Sequence, residues 1–191
     1  MKGSSYISIG YNFLQLATNS IDELMAQGNR SLIMTSGNKS DEEAWREYEE
    51  KTKWNDQNVA IPILFNFFHG TELILKGLIL HCGGTLKTTH RLTVHLEQLR
   101  KCPNPPNKAV LDHLQKIITK NGLEDFFKIN NSSVDSFYEL FRYPEMKNGE
   151  EIEFWMLRGK EELGINRFKE IRLLASSVKP QIKAWKTSTP N

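Results

Sequence analysis

The stretch from Asn58 to His81 most constrains the fold, because apolar side chains cover nearly every face of it. A helix that is apolar all round needs neighbours on every side and lies in the middle of a helical bundle. The run is interrupted by residues that are polar or disfavour a helix, among them Pro62, Asn66, His69, Glu72 and Lys76. Charges inside a bilayer are costly, so the sequence favours a buried helix over a membrane span.

Helical periodicity also dominates the rest of the chain, and we predict a single all-α domain over residues 1–191. An extra N-terminal helical layer comprises a helix from about Ser5 to Ala26 and an acidic helix capped by Ser40. Further helices are expected to begin near Thr89, Asn107, Ser133 and Lys160. Residues 143–157 are expected to form a short irregular or hairpin-like insertion, in which 150–157 is either a strand or an extended arm.

Composition sets limits on function and location. The net charge is only +2, which gives no overall nucleic-acid signature, although residues 165–186 are locally basic. Cys82 and Cys102 lack metal-type spacing and follow no secretory signal, so free thiols in a cytoplasmic protein are expected. No cofactor, metal site or membrane association is predicted.

A narrow polar stripe runs along the otherwise apolar helix. His69, Glu72 and Lys76 fall within about 60° of one another at helical spacing. Buried charges need partners, and an exposed Glu72–Lys76 pair would contribute only about 0.3–0.5 kcal/mol. Either the stripe faces a cleft, or Glu72 has a second cationic partner, for which Arg142 is the candidate. A purely structural strut between two helices is the alternative.

The segment FRYPEMKNG, residues 141–149, places Arg142 at a rigid corner. Tyr143-Pro144 forbids helical continuation, and Lys147-Asn-Gly closes the turn. A guanidinium fixed in this way suits phosphate binding, with Lys147 and Tyr143 nearby. His90, at the start of a predicted helix, is a further candidate for the same site.

Three motifs in this order resemble the HEPN superfamily: HGTELILKGL at 69–78, KTTHRL at 87–92, and Arg142-Tyr143-Pro144 followed by Lys147 and Gly149. The resemblance covers about residues 58–185 and implies an all-α bundle that often dimerises. Many members are metal-independent ribonucleases in toxin–antitoxin and other bacterial defence systems. Others bind nucleotides or RNA, or are inactive interaction modules.

In active members an arginine is followed about four to six residues later by a histidine. The histidine accepts the proton of the attacking ribose 2′-hydroxyl, and the arginine stabilises the charge on the phosphate. This chain departs from that pattern, because no histidine follows His113. Catalysis would require His69 or His90 from another helix.

Three functions follow from these residues. The first is a domain with a degenerate catalytic motif that binds RNA or a nucleotide through Arg142, Lys147, Lys76, His90 and Tyr143, with Glu72 orienting Arg142. The second is an active metal-independent ribonuclease that uses Arg142 with His69 or His90. The third is a non-catalytic module that forms a homodimer or binds a cognate protein partner.

Overall fold

The computed structural model describes residues 3–31, 39–158 and 162–188. Within these residues the protein is all-helical and has no β-strand. The helices are α1 (Ser4–Ala26), α2 (Asp41–Thr52), α3 (Asp56–His81), α4 (Leu92–Arg100), α5 (Lys108–Thr119), α6 (Glu124–Ile129), α7 (Phe137–Leu140) and α8 (Glu162–Ser188). Two 3₁₀ turns, Val134–Ser136 and Phe154–Leu157, complete the described elements.

Helix α3 lies at the centre, as its apolar surface predicts. It packs against α1, α4, α7 and α8, while α5 joins α4 to α8 on the far side. Fully buried side chains such as Phe67, Phe68 and Leu75 point from α3 into these contacts. The N-terminal helix α1 contributes Leu14, Ile21 and other residues to the same hydrophobic core.

Helices α1 and α3 run antiparallel at close range because glycines face each other across the contact. A Cβ added to Gly10 would lie 2.8 Å from the carbonyl oxygen of Gly70, and one added to Gly77 would lie 2.8 Å from that of Gly3. Separations below 3 Å are too short for real Cβ contacts. Glycine therefore sets the distance between α1 and α3, which pack against each other more extensively than any other pair of described helices.

Helix termini follow the predicted capping residues where the cap is local. Ser40 forms a capping box with Glu43, and Asn107 accepts a hydrogen bond from the backbone N–H of Val110. Helix α4, predicted to begin at Thr89, begins instead at Leu92. Its first turn is bound by Asp135, which is distant in the sequence.

The insertion after α7 is hairpin-like, but it does not contain the strand that was one of the two sequence expectations. An isolated antiparallel bridge joins Glu145 to Glu151, and the backbone N–H of Met146 donates to the carbonyl of Glu150. Residues 154–157 then form a 3₁₀ turn. One isolated bridge does not make a sheet, because a sheet needs two strands whose backbones are hydrogen-bonded over several residues.

One 18-residue window in the helical stretch Asp41–His81 is apolar enough to cross a membrane by length and composition alone. Of that window, 67% is buried inside the fold. Such burial is typical of a core helix, so the window is weak evidence for a membrane span.

Candidate functional site

Glu72 is the hub of the polar stripe on α3. Its side chain is only 1% exposed, and its carboxylate accepts hydrogen bonds from three cationic or ionisable groups. Lys76 Nζ lies 2.5 Å from Oε1, His90 Nδ1 lies 3.0 Å from Oε1, and His69 Nδ1 lies 3.4 Å from Oε2. The stripe predicted from helical spacing is therefore a hydrogen-bonded network, joined by one residue from outside α3.

The surroundings of Glu72 keep it ionised. Burial by itself raises the pKa of this carboxyl, because it penalises the charged form. The hydrogen bonds from His69 and Lys76 and the charges of Lys76 and His90 outweigh that penalty and lower the pKa to about 2. Near neutral pH the group is a carboxylate that only accepts hydrogen bonds, so each histidine presents an N–H to it.

His90 connects this buried network to the surface. Its Nδ1–H points at Glu72, while its side chain is 48% exposed. The Nε2 atom forms no hydrogen bond within the described part of the chain, so in the Nδ1–H tautomer its lone pair is free. The imidazole also stacks on the ring of Tyr138, with ring centroids 3.8 Å apart and planes 10° from parallel.

Arg142 lies on the same tyrosine. Its guanidinium carbon is 4.5 Å from the centroid of Tyr138 and 5.4 Å from that of Tyr143. The prediction that Glu72 orients Arg142 by a direct ion pair is wrong, because His90 and Lys76 occupy that carboxylate. Arg142 is exposed and forms no ion pair with any described residue, so its position comes from cation–π contact.

A separate set of contacts fixes His90 against Tyr138. Asp135, just before α7, accepts hydrogen bonds from the backbone N–H of Thr93 at 2.9 Å and from Arg91 Nε at 3.3 Å. It thereby caps the start of α4 from a distant part of the chain. On the other side, the buried ring of His95 bonds the carbonyl of Thr89 through Nε2 at 3.0 Å. The loop carrying His90 is thus held at both ends.

The remaining predicted site residues are less available. His69 is 22% exposed and packs against the rings of Phe13 and Phe65. Lys76 is committed to Glu72. Lys147 is well exposed, but its ammonium lies 3.4 Å from Glu139, whose carboxylate also accepts the backbone N–H of Lys147. Lys147 therefore adds less positive potential beside Arg142 than the sequence suggested.

Neither of two cavities in the described part of the protein is lined by His90, Tyr138 or Arg142. A depression of about 370 Å³ lies beside the corner, lined by Tyr143, Pro144, Lys147 and two glutamates among others. A larger cavity, of about 560 Å³, lies between α1 and α8. We place the candidate site by its chemistry rather than by cavity size, since an open surface can bind a flexible polymer. Among the described residues no group of three His, Cys, Asp or Glu side chains could hold a metal ion.

Two residues that matter here were missed by sequence reasoning. Tyr138, in α7, lies four residues before Arg142, which is in the turn after that helix, and the spacing of four could have indicated the contact. Asp135 gave no comparable signal, because the segment SSVDS reads as a local cap.

No protein-family model matches the chain, and no curated protein or solved structure is significantly similar to it. The resemblance to the HEPN superfamily therefore stays a prediction.

Proposed function

We propose that the protein binds RNA, or a nucleotide of RNA, through a surface formed by Arg142, His90, Tyr138 and Tyr143. The observation that carries the proposal is the state of Arg142. It is exposed, it is held in place by an aromatic ring, and no described carboxylate neutralises it. A cation fixed in this way suits a phosphate oxygen, since little side-chain freedom is lost on binding.

The shape of the surface favours a single strand over an enclosed small molecule. Tyr143 is 50% exposed and lies beside Arg142. An exposed aromatic ring next to a fixed cation can stack a base while the cation binds the adjoining phosphate. Glu139 and Glu145 line the neighbouring depression and disfavour further phosphates there, which limits the expected footprint to a few nucleotides.

Arg142→Ala is expected to weaken binding of a short single-stranded RNA about tenfold or more. The substitution removes a charge-assisted phosphate contact without touching the core, and such contacts contribute about 1.5–3 kcal/mol. Fluorescence anisotropy of a labelled oligonucleotide at low salt measures the effect, and the affinity of the unaltered protein should fall as salt rises.

Arg46→Ala is the matched control, because Arg46 is an exposed arginine on the acidic helix α2. Equal losses in the two variants would show non-specific attraction and count against the proposed surface. Lys147→Ala should have a smaller effect than Arg142→Ala, since Glu139 already neutralises part of its charge.

A second candidate function is RNA cleavage, and the Glu72–His90 hydrogen bond favours it. A buried carboxylate that accepts Nδ1–H fixes the imidazole tautomer, so that the exposed Nε2 is the proton acceptor. Nε2 would take the proton of a ribose 2′-hydroxyl as O2′ attacks phosphorus and the P–O5′ bond breaks. The proton then returns to the leaving 5′-oxygen, while Arg142 stabilises the charge on the phosphate.

If the protein cleaves RNA, His90→Asn should lower the single-turnover cleavage rate by about 10²–10⁴-fold, a far larger loss than its effect on binding, which depends chiefly on Arg142. Asparagine keeps an N–H for Glu72 but cannot accept the proton. The measurement is the yield of 2′,3′-cyclic phosphate ends from a defined oligonucleotide.

The parallel variant His69→Asn separates the two histidines that the sequence left open. Because His69 is enclosed by Phe13 and Phe65, its replacement should leave the cleavage rate within a few-fold. Loss of cleavage in His69→Asn alone would assign the base to His69. Cleavage that survives in both variants would remove the catalytic candidate.

The defence or toxin–antitoxin setting, the dimer or cognate protein partner and the cytoplasmic location implied earlier stay predictions. They concern other molecules and compartments, which contacts within one chain do not identify.

A further inference from the structure

A groove between α1 and α8 has no part in the surface described above. The two helices run antiparallel, with Asp22 bonded to Arg172 towards one end and Lys179 lying over the ring of Tyr11 towards the other. The cavity between them has a volume of about 560 Å³. Small-molecule sites in proteins range from about 300 to 1,000 Å³, so the groove has the size of a ligand site.

The groove has an apolar floor because small residues leave space there. Leu14 and Ala175 are both buried and line the cavity. Ala175 and its neighbour Ser176 are too short to fill the gap to α1. The aromatic ring of Tyr11 forms part of the wall, so a planar group could lie on the floor beside it.

Polar groups that form neither an ion pair nor a side-chain hydrogen bond with a described residue line one end of this groove. Within the described residues, neither Lys179 nor Lys183 forms an ion pair, and the side chains of Asn12 and Tyr11 form no hydrogen bond. Burial raises the pKa of Tyr11 to about 12, which keeps the phenol protonated and able to donate. Several donors therefore meet at the end of the groove that carries Lys179 and Lys183.

Pro180 removes the usual helical donor to one backbone carbonyl near this end of the groove. Pro180 lies inside α8 and has no N–H to donate to the carbonyl of Ser176 one turn earlier. Both residues line the groove. A hydroxyl or amino group of a ligand could satisfy that carbonyl.

We propose that the α1–α8 groove binds a nucleoside monophosphate, with the phosphate at Lys179 and Lys183 and the base on the floor beside Tyr11. Lys179 and Lys183 lie one helical turn apart on α8, and each supplies a point charge with three donors. Such a pair suits a phosphate dianion better than it suits a carboxylate, which carries one charge. A sugar hydroxyl or base amino group reaches the Ser176 carbonyl. This site is separate from the Arg142 surface and does not depend on RNA binding there.

The test is isothermal titration calorimetry of the full chain with the four ribonucleoside 5′-monophosphates. At least one should bind at micromolar to low-millimolar concentration, and its nucleoside or inorganic phosphate alone should bind about tenfold or more weakly. The double variant Lys179→Met, Lys183→Met should weaken that nucleotide about tenfold or more. Lys169→Met, an exposed lysine of α8 outside the groove, should not.

Arg142→Ala distinguishes the two sites. Nucleotide affinity that falls with Arg142→Ala and not with the double lysine variant would overturn the groove proposal and support the Arg142 surface. Absence of heat and of thermal stabilisation with all four nucleotides at millimolar concentration would overturn it as well. Equal weakening by Lys169→Met would show that only general positive charge attracts the nucleotide, with the same consequence.

Discussion

Replacing Glu72 by glutamine should lower the free energy of unfolding by about 3 kcal/mol. The amide keeps the volume and one acceptor oxygen but not the charge, so Lys76 and the two histidines lose the buried carboxylate that they share. Removing one partner of a buried ion pair is far more costly than removing an exposed one. Urea unfolding measured near neutral pH gives the difference.

The same substitution should change how stability depends on acid. The pKa of Glu72 lies at about 2 in the folded protein, below its ordinary value of 4.5. Its contribution is therefore fully present above about pH 4.5 and is lost as the pH falls through 2. The gap in stability between the two proteins should narrow over that window. Glu97→Gln, at an exposed pair with Arg100, should change stability by less than about 0.5 kcal/mol at any pH.

A difference in the free energy of unfolding between wild type and Glu72→Gln that stays constant down to pH 2 would contradict the prediction that ionised Glu72 stabilises the buried network. A loss as small as that of Glu97→Gln would mean that Glu72 is open to water.

Gly10→Val is expected to cost about 3 kcal/mol or more, or to prevent folding. The new Cβ would lie 2.8 Å from the carbonyl oxygen of Gly70 and 2.9 Å from the side chain of Ile74. A backbone oxygen cannot rotate away, so α1 has to move off α3 along its length. Valine has a higher helix propensity than glycine, but this stabilises the helix by less than about 1 kcal/mol. Thermal and urea unfolding both report the loss.

Ser8→Val supplies the comparison on the same helix, because Ser8 is an exposed residue of α1. Its cost should stay below about 1 kcal/mol. Because Gly10 and Gly70 share one contact, a Gly10→Val, Gly70→Val protein should lose less than the sum of the single losses. Similar small losses for Gly10→Val and Ser8→Val would refute the close packing of α1 on α3.

Local chemistry explains most of what could be predicted about the fold. The all-α class and the central place of α3 follow from side-chain periodicity, and Ser40 and Asn107 cap helices within three residues of themselves. The start of α4 was placed three residues early, because its cap, Asp135, comes from more than forty residues further along the chain. No local pattern contains that contact.

The same distinction between local and distant contacts applies to the candidate site. Helical spacing brought His69, Glu72 and Lys76 together correctly, since one helix fixes their relation. The partner from outside α3 was misassigned, because the path of the loop before α4 decides whether His90 or Arg142 reaches Glu72. Charge complementarity alone permits either choice, and the chain geometry selects His90.

The stacking of His90 on Tyr138 determines when, during synthesis of the chain, the Arg142 surface can form. The two rings are separated by 48 positions, and Arg142 follows Tyr138 by four more. A growing chain acquires Glu72 and His90 well before it acquires the ring and the guanidinium that complete the surface. Partial products of translation therefore carry an imidazole without its phosphate-binding cation, and the surface is assembled only once most of the chain has been made.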